Sequence, residues 1–171
     1  MSHALRTTLI AAAVALLSAT VLIVMARPAH AAGSAEVRFV EPERFSDAGR
    51  PPVERDRTLA SLTAHLQQLA RGLPDGQRLK IEVLDVDLAG EQVLRRGQDV
   101  RVLRGTVDSP SIELRWSLEQ GGSTVKSGKE RLTDLGYLTG GRAYKANAYG
   151  DLPYEKRMLS EWFRAQFESP H

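Results

Sequence analysis

The chain has 171 residues, with 23 basic and 21 acidic side chains, a formal net charge of +2 and no cysteine. Without cysteine there is no disulfide framework, no thiol nucleophile and no thiolate metal centre. So balanced a charge provides no bulk field to gather nucleic acid or anionic lipid.

The amino end has the layout of a secretory signal. Arg6 is followed by twenty uncharged residues, 7–26, then by Arg27-Pro28 and the small-x-small run Ala29-His30-Ala31. Cleavage after Ala31 would place the remainder in the periplasm, and about 140 residues suit one domain. An uncleaved signal-anchor in the inner membrane is the alternative, because twenty apolar residues can span a bilayer. A lipid anchor on cysteine is excluded. Arg6 and Arg27, two of the 23 basic residues, lie in this segment, so the mature chain balances at 21 against 21.

The mature part opens with a short alternating strand over 35–40, with Val37 and Phe39 on one face and Glu36 and Arg38 on the other. Pro42, Gly49, Pro51 and Pro52 punctuate the next stretch. A helix is expected over 55–71, with Leu59, Leu62, Leu66 and Leu69 on one stripe, Asp56 as its cap, and Gly72 and Pro74 ending it. Over 78–88 Leu79, Ile81 and Val83 alternate with charged residues. The phase then slips, and Val86 and Leu88 take over, which predicts a β-bulge near Leu84. Residues 90–98 read as a loop and 100–104 as a short strand. Ile112, Leu114, Trp116 and Leu118 alternate over 111–119, a Gly121-Gly122 turn follows, and 124–132 returns as a polar edge strand blunted by Lys126 and Lys129. A loop over 139–151 leads to a helix over 153–167 with Pro153 in its first turn. Its apolar residues cover an arc of roughly 220°, wider than one buried stripe, so the helix should meet two surfaces: the sheet, and either the first helix or a partner. Met158, Trp162 and Phe163 are the candidate interface residues. The fold class is α+β: a mixed, mostly antiparallel sheet of about five strands with two main helices packed on it, in the order β-α-β-β-β-β-α.

The chemistry-bearing residues are few. Only His65 and His171 lie in the mature part, and His65 sits at the edge of the leucine stripe, which suits a helix-boundary residue better than a general base. Asp85 and Asp87, two apart on one strand face, are the sharpest acidic feature. The segment starts like a calcium loop, but Ala89 and Arg96 occupy positions where oxygen ligands are needed. Arg95, Arg96, Arg101 and Arg104 form the densest basic patch. All four tyrosines, Tyr137, Tyr144, Tyr149 and Tyr154, fall near the carboxyl end among Gly140, Gly141, Arg142, Lys145 and Asn147, a composition suited to a binding loop. No phosphate-loop or dinucleotide motif is present, and neither a cofactor nor a metal is expected.

Four blocks read together resemble a known family. They are R-F-V-E-P-E-R-F-S-D from Arg38, L-K-I-E-V-L-D-V-D-L-A-G from Leu79, L-T-D-L-G-Y-L from Leu132, and the stretch from Leu152 to Phe167 with Y-E-K-R-M-L and W-F. The chain resembles the proteobacterial domain of unknown function 3016 over nearly all of its mature part. The resemblance implies an exported single-domain envelope protein and brings no assigned catalytic residues.

The sequence therefore points first to a non-enzymatic periplasmic binding or interaction module. Its ligand candidates are Asp85, Asp87, Asp134, Tyr137, Arg142, Tyr144 and Tyr149, and its partner is a periplasmic protein or a second copy met through the carboxyl-terminal helix. The alternatives are a carboxylate-dependent hydrolase of envelope material using Asp85, Asp87 or Asp134, and a structural accessory domain of a larger assembly. Convergence of the three aspartates in a cleft would favour the enzyme.

Overall fold

The computed structural model describes residues 32–139 and 150–168. Strands form where the sequence alternates: β1 (Ser34–Phe39), β2 (Gln77–Asp87), β3 (Glu91–Arg95), β4 (Gln98–Val102), β5 (Ser111–Gln120) and β6 (Ser123–Thr133). β1, β2, β5 and β6 make one sheet in that order, and β3 and β4 make a separate two-stranded one. β1 runs parallel to β2, and the other pairings are antiparallel. The protein is α+β, as the alternation predicts.

One stretch differs from its expected form. Residues 90–98, read as a loop, carry β3 and the tight turn into β4. Arg96 and Gly97 take φ of 50° and 79° there. These left-handed values match the turn type that two-residue hairpins prefer, usually signalled by Asn-Gly or Asp-Gly. Arginine in the first position hides the signal.

The predicted phase slip is present as a register shift between Val83 and Asp85. It keeps Val83 and Val86 buried on one face and turns Asp85 and Asp87 to the other. Beyond β1 the chain returns at Asp47, whose amide donates to the Val86 carbonyl (2.9 Å) and whose carbonyl accepts from Leu88 (3.0 Å). That bridge sets Asp47 beside Asp87.

Helix α1 (Pro52–Ala70) buries Thr58, Leu62, Leu66 and Ala70, one residue per turn. It starts earlier than expected, with Pro51 at its cap, so Asp56 lies inside the helix and caps nothing. Pro52 explains the earlier start, because its fixed φ suits the first helical position and its missing N–H is no loss there. Helix α2 (Pro153–Phe167) has the expected bounds. Its wide arc does meet two surfaces. Met158, Leu159, Trp162 and Phe163 join β2 and β5 residues in the core, and Trp116, Trp162 and Phe167 stack edge to face at 5.1–6.1 Å. The second surface is α1. His65 Nε2 stands 2.9 Å from the Lys156 carbonyl and 2.8 Å from Ser160 Oγ, and Ser61 donates to Asp151 at 2.6 Å. A carbonyl only accepts, so Nε2 carries the imidazole proton.

The sheet face opposite the helices is a grid of cross-strand ion pairs. Glu82 meets Arg115 (2.7 Å) and Arg38 (3.7 Å), Glu113 meets Lys129 and Arg131 (2.9 Å each), and Lys80 meets Glu119 (2.8 Å). Exposed pairs of this kind are worth about 0–1 kcal/mol each.

Candidate functional site

The separate hairpin β3–β4 leaves a cleft between itself and the amino-terminal ends of both helices. Two adjoining cavities fill the cleft, of about 360 and 240 Å³, and they share Leu88, Arg101 and Leu152. The larger falls within the range of small-molecule sites, about 300–1,000 Å³, and the smaller lies just below it. The larger is polar, lined by Glu54, Arg57 and Thr58 of α1 with Gln92 and Asp151. The smaller has apolar walls, Leu103, Leu152, Pro153 and Tyr154 among them, and includes Glu155.

Local chemistry holds each polar group in place. Glu155 is buried in the first turn of α2, where the helix dipole favours an acid. Its carboxylate accepts the Ala89 amide at 2.7 Å, tying the helix to the end of β2. Burial nevertheless pushes the Glu155 carboxyl up from its ordinary range, against the pull of that amide. Arg101 reaches back from β4 to Asp47 (2.9 Å) and the Gly90 carbonyl (2.8 Å). Gln92 donates through Nε2 to Glu54 (3.2 Å), while its Oε1 is buried without a hydrogen-bond partner. Asp151 is bonded to Lys156 and Ser61, which hold its carboxyl below the usual range, Lys156 acting most strongly. Leu152, common to both cavities, is held at φ 50°. A residue with a Cβ loses roughly 1–2 kcal/mol in that region, and such strain gathers at functional sites.

The three aspartates do not converge here, and none lines either cavity. Asp85 is on the outer sheet face, where it accepts the Ser46 amide (2.8 Å) and hydroxyl (2.9 Å) and faces Arg131 at 3.6 Å. Asp87 is half-buried beside Asp47. Burial raises its carboxyl first, and the neighbouring charges of Asp47 and Asp85 raise it further, against Arg101 and Arg131. Asp134 is buried elsewhere in an ion pair with Arg157. Tyr137 is fully buried, packs edge to face on Tyr154 at 4.8 Å, and donates to Asp108 at 2.8 Å. Burial, then that hydrogen bond, pushes its phenol up to about 12. Arg142, Tyr144 and Tyr149 lie outside the described residues. Met158, Trp162 and Phe163 are core residues, 6%, 6% and 1% exposed. A partner meeting α2 would find Glu161, Arg164 and Ala165 instead.

The arginine patch also disperses. Arg101 serves Asp47, Arg104 pairs with Glu91 at 2.6 Å, and Arg95 and Arg96 are exposed at the hairpin tip. Among the described residues no group of three or more His, Asp or Glu side chains is placed to hold a metal ion. No described helix is long and apolar enough to cross a membrane.

The chain belongs to the family described as protein of unknown function (DUF3016), whose model matches residues 33–165. No curated protein matches it in sequence. Among solved structures it is similar to protein XCC0632 from Xanthomonas campestris, of family DUF330, at 14% identity over 80% of this chain and 87% of that one, with a TM-score of 0.31. It is also similar to a PelC dodecamer from Paraburkholderia phytofirmans at 16% identity, over 78% and 88% of the two chains, with a TM-score of 0.28. Likenesses this remote bring no function with them.

Proposed function

We propose that this DUF3016 member is an exported, non-enzymatic binding module of the bacterial envelope that holds a small ligand in the cleft between β3–β4 and the two helix amino termini. The observation that carries the reading is the pair of adjoining cavities, in which the buried Glu155, Gln92 and Thr58 stand beside apolar walls. Concavity, apolar lining, a few convergent polar groups and a displaced carboxyl together mark a ligand site. Enzyme machinery is sparse around it. His65 is engaged between the helices, and Ser160 donates to the Lys156 carbonyl at 2.9 Å.

The hydrolase reading retains one supporting observation, the buried Glu155, whose carboxyl burial pushes up from its ordinary range, the direction that suits a general acid. A glycosidase needs a second carboxyl group within about 5–10 Å across a sugar; Asp85, Asp87 and Asp134 line neither cavity, and the carboxylates that do are engaged, Glu54 with Gln92 and Asp151 with Lys156 and Ser61.

Two measurements test the proposal. Fractionation with immunoblotting should find a processed chain in the periplasm, and unprocessed protein in the cytosol would overturn export. Adding a small-molecule extract of the envelope to ¹⁵N-labelled mature protein should shift the amide signals of Ala89, Gly90, Gln92 and Leu152. Shifts confined to other surfaces would overturn the cleft.

A further inference from the structure

The outer sheet face carries a second concavity, independent of the cleft. A cavity of about 570 Å³, larger than either cleft cavity, crosses all four strands of the main sheet there. Four cations line it, Arg38, Lys80, Arg115 and Lys129, against two carboxylates, Glu36 and Glu82. The cations are paired, but the pairs are layered. The four cationic side chains are 44–73% exposed, and the carboxylates they meet, Glu82, Glu113 and Glu119, only 23–34%. The longer side chains therefore stand over the shorter ones, and an incoming ligand reaches positive charge first. The cations also keep donors uncommitted. Each ammonium has three and meets one carboxylate. Arg115 turns Nε and Nη2 to Glu82, which leaves Nη1. Arg38, at 3.7 Å from Glu82, is beyond hydrogen-bond distance. On the cavity floor Ser117 and Ser127 stand opposite each other on β5 and β6, with no side-chain hydrogen bond among the described residues.

We propose that this face binds an acidic polysaccharide, its carboxylates or sulfates held by Arg38, Lys80, Arg115 and Lys129 and its hydroxyls by Ser117 and Ser127. Three observations select that class of polyanion. A flat lipid surface cannot enter a cavity sunk between side chains, whereas a chain can lie along it. A nucleic acid strand would need an aromatic face on which to stack its bases, and the one aromatic residue of the lining, Trp116, is 3% exposed and belongs to the core. The two serine hydroxyls suit the alcohols of a sugar. The balanced charge of the whole chain gives no long-range attraction, so the contact is short-ranged. It is weak per pair, repeated over strands about 4.8 Å apart, and screened by salt. Glu36 is exposed and makes no ion pair among the described residues, so it opposes the ligand.

The test is a ¹⁵N-HSQC titration of the mature protein at low salt with hexagalacturonate, a heparin hexasaccharide and neutral maltohexaose. An acidic hexamer should move the Lys80, Ser117, Ser127 and Lys129 amides and lose affinity as NaCl is raised, and maltohexaose should leave those amides in place. The tighter acidic hexamer tells carboxylate from sulfate. Arg115→Gln with Lys129→Gln, both at exposed positions, should weaken binding about tenfold through the loss of two charge contacts. Arg95→Gln with Arg96→Gln, the same charge change at the hairpin tip, should leave affinity unchanged. Glu36→Gln should tighten it. Maltohexaose binding as well as the acidic hexamers, or the tip variant losing as much as the face variant, would overturn the assignment. Vesicles of phosphatidylglycerol or an oligothymidylate moving these amides while the hexamers do nothing would overturn it too, as would silence towards every probe. The cleft amides of Ala89, Gln92 and Leu152 moving in their place would overturn it and leave the cleft reading intact.

Discussion

Asp134, one of the acidic candidates, is best tested through the arginine it neutralises. Arg157 is 2% exposed and Asp134 7%, and Nη2 of the guanidinium bonds the carboxylate. The arginine Nε and Nη1 are buried without partners. Asp134→Ala therefore strands a cation already short of acceptors. Breaking a buried pair from one side costs about 3–5 kcal/mol. Against a total of about 5–15 kcal/mol for a domain, that is a large fraction. For this chain length it lowers Tm by roughly 10–15 °C. Replacing both partners, Asp134→Leu with Arg157→Met, removes the stranded charge and should recover most of the loss, because well-packed apolar substitutes for a buried pair are often neutral or better. Urea denaturation followed by far-UV circular dichroism measures both variants. A single variant within about 1 kcal/mol of the parent would refute the reasoning. So would a double variant no more stable than the single one.

Three further outcomes follow from the packing. Trp162→Ala and Phe163→Ala should each lose about 3–5 kcal/mol in thermal melts and leave the sedimentation coefficient unchanged, since both side chains fill the protein's own core. A change of association state without loss of stability would place them at an interface. Gly128→Val should cost about 1–3 kcal/mol by overpacking, because a Cβ there meets the Trp116 ring at 2.9–3.1 Å, and an unchanged melt would refute the contact. Burial holds the His65 imidazole below its ordinary value, against the bond to the Lys156 carbonyl, so the unfolded chain takes up the proton first. Stability is then whole above about pH 6.5 and is lost as pH falls towards the depressed folded value. Asp87 and Glu155, with raised carboxyls, act in the opposite sense: their contribution is complete below about pH 4 and is lost as pH rises through their folded values. The difference between wild type and His65→Gln isolates the histidine and should shrink from pH 7 to pH 5. A difference that is flat or growing would refute the assignment.

How much of this was legible in the sequence depends on whether the governing contacts are local. Period-two alternation around Ile81 and Leu114, and the slip at Leu84, are properties of adjacent residues, so strands and bulge could be read directly. The span of α2 was equally local. Its wide apolar arc specified two neighbours but not their identity, and the choice between α1 and a partner rests on His65 meeting Ser160 across 95 positions. The cleft was illegible for the same reason. Glu155 and Ala89 are 66 positions apart, Gln92 and Glu54 are 38 apart, and Asp47 meets Asp87 only because the chain returns to β2 after β1. Sequence reading gave weight to carboxylates that stand together, Asp85 and Asp87, and the fold satisfied Asp85 with a turn and Arg131. Of the carboxylates that line the cavities, Glu155 reads in the sequence as ordinary helix-dipole decoration. One local signal does mark the hairpin, Arg96-Gly97 between short apolar runs. Such a turn pairs β3 with β4, while the separation of that pair from the main sheet is again set by distant contacts.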